Sequence, residues 1–390
     1  MTYQPMPSTD QLDKTIGTRP LSFADLAIVL ICLSILGQGL GPYLPALRYV
    51  QYAVPIAVAL LWLTVGKGKW YPHSGRYMLA TLMLLGSIGL SSVMNDIRDM
   101  RILMFLVFPI SMGIFLKEVS YRHITWIWST TVISAIIFSA DNYTTTSLSF
   151  DIIYSGSIAE GQLSFVIAIF VITMFALKER RRLALALILF LLMLKRIALG
   201  ALLLSFAAWI VTSPRLIRQA LARSRALAAT LACSIFLVFG YLAFNLNTIA
   251  YEVFLQFREF FDTVERITLG RYKFAEAMTA YMDSSGSTIS ALFGFGPGSS
   301  RVIIGEPYFY MSDFNALNDY LLVRFEYGWV GLFLFFLAYA VAIGQSRWGV
   351  ILCAFQALVF MTDNTLIYAF HTQVVVACSL HLMARERAES

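Results

Sequence analysis

RRRLALALILFLLMLKRIALGALLLSFAAWIVT (180–212) is the stretch whose reading decides the fold. Apolar residues fill it from Leu183 to Val211, broken only by Lys195-Arg196. Both flanks are basic: Lys178, Arg180, Arg181 and Arg182 before it, Arg215, Arg218, Arg223 and Arg225 after it. Short loops rich in Lys and Arg stay on the cytoplasmic side of a membrane. If both flanks lie there, the stretch is a hairpin with Lys195-Arg196 at its outer tip. Its first arm is only about 18 Å long at 1.5 Å per residue, so the tip sits below the outer surface. A cation near mid-membrane costs roughly 2.5–3.5 kcal/mol on insertion scales and faces a cavity or a partner. The alternative is a pair that snorkels to a locally thin surface.

Outward from this hairpin the pattern repeats. The chain has 390 residues, 58% hydrophobic and 13% charged, about half the charge fraction of a soluble domain. The reading is an all-α, polytopic membrane protein of about twelve helices. The spans fall near 24–42, 49–65, 77–94, 101–116, 123–140, 162–177, 183–194, 197–212, 226–244, 321–344, 349–362 and 364–381. Five regions follow: a tail at 1–23, nine spans across 24–244, a loop at 245–320, three spans across 321–381 and a tail at 382–390. Most of the 29 Lys and Arg residues then lie in the inner loops, with both termini cytoplasmic. The first apolar run lacks a small-residue cleavage pattern and reads as a retained helix. The net charge of +6 sits in short loops, so it signals topology and gives no support to nucleic-acid binding. Cys32, Cys233, Cys353 and Cys378 all fall in apolar runs, which argues against a disulfide framework.

The outer loop at 245–320 is the only long one, and long ordered loops carry function. Ile249, Val253, Phe254, Phe257, Phe260 and Phe261 recur at helical spacing. A second amphipathic stretch runs from Arg271 to Met282, with Phe274, Met278 and Tyr281 on one face. Gly294-Phe295-Gly296-Pro297-Gly298 then makes a glycine-rich turn whose amides could meet an anion. Arg258, Arg266, Arg271, Lys273 and Arg301 mix with carboxylates along this loop, and Arg98 and Arg101 share a short outer turn. Arginine offers a planar fork of donors that matches phosphate oxygens; the plain alternative is a solvated, ion-paired surface. Tyr308, Phe309, Tyr310 and Phe314 suit either sugar stacking or an interfacial belt. No histidine lies in the outer loops and no Cys/His set has metal-ligand spacing, so neither metal nor cofactor is expected.

Leu317-Asn318-Asp319-Tyr320-Leu321, followed by Phe325-Glu326-Tyr327-Gly328-Trp329-Val330-Gly331, resembles the HN-x-YL … E-x-G-x-x-G signature of the bacterial O-antigen polymerase and ligase family (Wzy-type polymerases and their ligase relatives). Further motifs resemble the family in order: Lys195-Arg196 before a small-residue, Leu-rich helix, Gly270-Arg271 with Ala275 and Ala277, and the glycine turn at 292–298. The resemblance covers roughly 195–331. The family's histidine is replaced by Leu317, a departure that weakens the ligase reading.

What the resemblance implies is transfer of a glycan from undecaprenyl diphosphate to an acceptor sugar, at the periplasmic face of the inner membrane and without metal. Asp319, Glu326 and Asp313 become candidate catalytic carboxylates. Arg196 and Arg271 become the expected diphosphate ligands, with Lys195, Arg98, Arg101, Arg266, Arg301, Asn318 and Tyr320 as further binding candidates. The implied partners are the undecaprenyl-diphosphate-linked oligosaccharide, the lipid bilayer and a chain-length regulator. A ligase on the same fold and a transporter or lipid flippase are the competing readings.

Overall fold

The computed structural model describes residues 21–41, 43–44, 46–47, 50–66, 75–95, 97, 119–145, 163–193, 195–254, 271–300, 318–362 and 370–389. Arg98, Arg101, Arg266, Arg301 and Asp313 lie outside these, as do the expected span at 101–116 and the loop helix beyond Phe254. The backbones of Arg196 and Arg271 are described but their side chains are not.

Fourteen helices make up the described residues: α1 (Phe23–Leu40), α2 (Val50–Thr64), α3 (Gly75–Met94), α4 (Tyr121–Thr145), α5 (Leu163–Ala176), α6 (Arg180–Leu192), α7 (Arg196–Val211), α8 (Arg215–Arg223), α9 (Arg225–Phe254), α10 (Arg271–Ser285), α11 (Thr288–Phe293), α12 (Asp319–Ile343), α13 (Arg347–Thr362) and α14 (Phe370–Glu389). Among the described residues there is no strand. The fold is all-α, as the composition predicts.

Among the described residues three helices are long and apolar enough to cross a bilayer: Phe23–Leu40, Arg225–Asn245 and Asp319–Ile343. A fourth is reached if α7 and α8, bent by 97° at a short break, are taken as one broken span. Other described apolar helices are too short to count as spans on their own. The 13 residues of α6 rise only about 20 Å, against a hydrocarbon core of about 30 Å. A tight turn at Leu177–Glu179 and a break between Leu192 and Arg196 cut this region into short pieces; Lys178 takes a left-handed φ of 60° in the first of them.

α6 ends at Leu192 and α7 begins at Arg196; α6 packs chiefly against α5, and α7 against α13. Ser164 Oγ at the start of α5 donates to the Met193 carbonyl at 2.7 Å, which seats the turn beside α5. Side-chain contacts then sort the helix ends into two groups. At one end, His123 Nε2 meets Asp25 Oδ1 at 2.9 Å, and Arg182 Nη1 donates to Thr125 Oγ1 at 3.0 Å. Arg347 at the start of α13 donates to Thr212 Oγ1, Ser213 Oγ and the Trp209 carbonyl at the end of α7. At the other end lie the Met193–Lys195 turn, the end of α3, the turn after α11 and the start of α12. The arginine-rich flanks of the hairpin thus share an end with the start of α1, opposite the glycine turn.

One element escaped the sequence reading. The basic flank at 215–223 is a helix of its own, nearly perpendicular to α7. Arg215, Arg218, Gln219 and Arg223 fall on one face and Leu216, Ile217, Ala220 and Leu221 on the other. Leu221 is buried while Leu216 is exposed.

Candidate functional site

The site grows from a break in α12. Gly328 has φ 69° and ψ −170° inside an otherwise helical run, a conformation open essentially to glycine alone. The break takes backbone groups out of the helical ladder, and a second segment uses them. The Phe295 amide donates to the Phe325 carbonyl at 2.9 Å, and the Gly296 amide to the Glu326 carbonyl at 3.1 Å. That second segment is the turn after α11, entered through Gly294 at φ 81°. A Cβ on Gly294 would lie 2.3 Å from the Glu326 carbonyl, and one on Gly328 would lie 2.3 Å from the Leu292 carbonyl. The two glycine motifs therefore meet backbone to backbone, with no room for a methyl group.

A third helix clamps the pair. Ser91 Oγ on α3 donates to the Glu326 carbonyl at 2.7 Å. Asn95 Nδ2 donates to the carbonyls of Ser91 and Gly294, each at 3.1 Å. On the other side Tyr281 of α10 meets the rings of Phe295 and Phe325, with centroids 5.2 and 6.0 Å away. Beneath this lid the Glu326 side chain is fully buried. Its Oε1 accepts from Ser300 Oγ at 2.5 Å, the short distance of a charge-assisted bond. Asp319 is also buried. It lies seven residues earlier, so two turns place both carboxylates on one face of α12, about 10 Å apart along the axis.

The opposite face of α12 carries a cation the sequence reading left out of the site. Arg324 is half-buried, its guanidinium carbon 4.8 Å from the Phe244 ring and 4.2 Å from the Trp329 ring. It lines a hollow of about 130 Å³ with Asp283, Ser287 and Ser290.

The other expected residues fall as follows. Asn318 caps α12: its side-chain oxygen accepts from the Leu321 amide at 3.1 Å. Asp319 is therefore the first helical residue and not the cap, placed where the helix dipole favours a carboxylate. Tyr320, read as a substrate ligand, is buried in the core. Its ring stacks on Phe336 at 4.5 Å and lies so close to Gly240 that a Cβ there would sit 3.1 Å from it. Packing between α9 and α12 surrounds it. Lys195 is buried at the hairpin turn, its ammonium 4.7 Å over the Phe165 ring. Lys195 is thus covered by protein on most of its surface. Arg196 and Arg271 are the first residues of α7 and α10.

Ser91, Asn95, Ser300 and Arg324 were missed. Serine and asparagine in apolar helices carry no local signal, since their role exists only once α3 lies against the broken α12. Among the described residues no group of three or more His, Cys, Asp or Glu could hold a metal ion. Compared with protein-family models, curated proteins and solved structures, the chain matches none of them.

Proposed function

We propose that this chain is a polysaccharide polymerase of the inner membrane. It transfers a glycan from undecaprenyl diphosphate to the non-reducing end of another lipid-linked repeat unit. In this reading the chain crosses the bilayer about twelve times, with both termini in the cytoplasm and the glycine-turn end of the bundle in the periplasm. The observation that carries the reading is the buried Glu326–Ser300 pair beneath two interlocked glycine turns. An ionisable side chain deep in an apolar bundle is costly and marks function, and this one lies at the end opposite the arginine-rich loops.

The chemistry divides between cation and carboxylate. An acceptor hydroxyl attacks the anomeric carbon, the bond from that carbon to the diphosphate oxygen breaks, and the hydroxyl proton passes to a carboxylate. Glu326 is the acceptor by position, with Ser300 holding its orientation; Asp319 is the second carboxylate on the same face. The departing diphosphate gains charge as the bond breaks. Arginine donors in a water-poor site stabilise that charge more than they do in water. Arg196 and Arg271 each begin a helix, where the backbone amides favour an anion as well.

Purified protein incubated with synthetic undecaprenyl-diphosphate repeat units should make a ladder of products, and should keep doing so in chelator. Lysine at position 196 or 271 keeps the charge but loses the fork, so both variants should polymerise poorly. Cysteines introduced near Ser285 should react with an impermeant thiol reagent from outside, and those near Arg180 should not. A single-turnover product with no ladder, or reversed labelling, sinks the polymerase reading.

A further inference from the structure

Arg324 lies outside every motif discussed above and is half-buried. Arg347 is spent on three oxygens of α7 and Arg182 on Thr125. Like Arg182 over Tyr121 and Arg347 beside Trp209 and Trp348, Arg324 has aromatic rings close by, Phe244 from α9 and Trp329 from its own helix, but without such an oxygen partner among the described residues. Cation–π contact of this kind occupies the faces of a guanidinium. It leaves the in-plane N–H donors, which are the ones a phosphate accepts two at a time. Among the described residues no oxygen accepts a hydrogen bond from Arg324. Asp283 lines the same hollow, with no ion pair to Arg324 among the described residues.

Two further features say what the hollow takes. Its volume of about 130 Å³ is well under the roughly 300–1,000 Å³ of a pocket that engulfs a small molecule. It suits a head group whose remainder lies elsewhere. Beside it the apolar side chains are uncovered: Trp329 is 44% and Phe333 50% exposed, one turn apart on α12, with Ile289 and Leu292 of α11 exposed as well. An apolar track leading away from an edge-on arginine fits an amphiphile.

We propose that Arg324 binds the phosphate of a lipid entering sideways from the bilayer, with the hydrocarbon chain lying along Trp329 and Phe333. Asp283, across the hollow, accepts from a hydroxyl of the group attached to that phosphate. This inference rests on the polymerase reading only for the identity of the lipid, undecaprenyl diphosphate. The phosphate chemistry is shared with ordinary anionic phospholipids.

The experiment is direct binding, measured on the full chain in detergent micelles by native mass spectrometry. Undecaprenyl diphosphate and phosphatidylglycerol are titrated separately and then in competition. Arg324→Gln should weaken binding of undecaprenyl diphosphate at least tenfold, and Trp329→Ala should weaken it less. Arg324→Lys should stay impaired, because lysine keeps the charge without the fork. Arg215→Gln should bind as the unaltered chain does. Thermal unfolding of each variant shows whether a loss of binding reflects a loss of fold. Displacement by phosphatidylglycerol means the site accepts any lipid phosphate; no displacement means it selects the isoprenoid diphosphate, and either result supports it. A folded Arg324→Gln protein that binds both lipids undiminished overturns the site. Lipid binding that depends on Arg324 in a protein that never forms polymer overturns the polymerase reading and leaves the site standing.

Discussion

The two ends of the bundle are held together by different means. The end that carries the arginine-rich loops is joined through side chains. His123 reaches Asp25 from α4 to α1, Arg182 reaches Thr125, and Arg347 ties the start of α13 to the end of α7. The opposite end adds close backbone contact to its side-chain ties. Gly294 lies on Glu326, Gly328 on Leu292, and Gly39 on Ser134, each with a Cβ distance under 3 Å. Side-chain ties can be cut one at a time and leave the helices where they are. Backbone contacts of this kind allow no methyl group, so they fix the helices within a fraction of an ångström. A catalytic carboxylate needs that sort of positioning, and Glu326 is found at the backbone-locked end.

Cutting the lock should give the largest effect. Gly328→Ala forces a side chain into a glycine-only conformation and against the Leu292 carbonyl. Strain and overpacking together cost about 3 kcal/mol or more. The expected outcome is a broad or aggregated peak in size-exclusion chromatography and no polymer. A monodisperse, active Gly328→Ala protein would refute the claim that this end is set by backbone contact.

Next comes a change that spares the lock but removes the charge. Glu326→Gln keeps an oxygen to accept from Ser300, so thermal stability should shift by less than about 1 kcal/mol. Turnover should fall about a hundredfold, the low end for losing a positioned proton acceptor. Equal turnover with glutamine would leave Glu326 as a packing residue.

At the side-chain end the pattern should reverse, with stability moving and chemistry not. Arg347→Met removes three hydrogen bonds from a charged donor, worth about 2 kcal/mol after the gain from apolar packing is allowed for. The surviving folded fraction should polymerise at the normal rate per molecule. His123→Ala should cost about 1 kcal/mol at most, since the partner Asp25 is partly exposed and its Ser22 hydrogen bonds remain. A selective loss of turnover in either variant, without loss of stability, would erase the distinction between the two ends.

Much of this was open to reading in the sequence alone. Apolar periodicity and basic flanks dictate helices, and the Lys195-Arg196 interruption marks the break between α6 and α7, because a cation pair is costly inside an unbroken apolar span. The carboxylates at 319 and 326 share a face by spacing alone. Hydropathy says only that a segment avoids water, however, and not whether it crosses a bilayer. Whether α6 and α7 end after 13 and 16 residues depends on where turns form. Tertiary structure alone decided that Asn318 caps α12, that Tyr320 is packing, that Ser300 from one loop meets Glu326 from a distant helix, and that Arg324 lies beside Phe244 and Trp329. Those contacts join residues far apart in the chain, and the motif residues carry no mark of which neighbour they will meet. The glycines show the division most clearly. Sequence marks Gly294 and Gly328 as places where the chain can turn, and only the packed bundle shows that each turns to make room for the other.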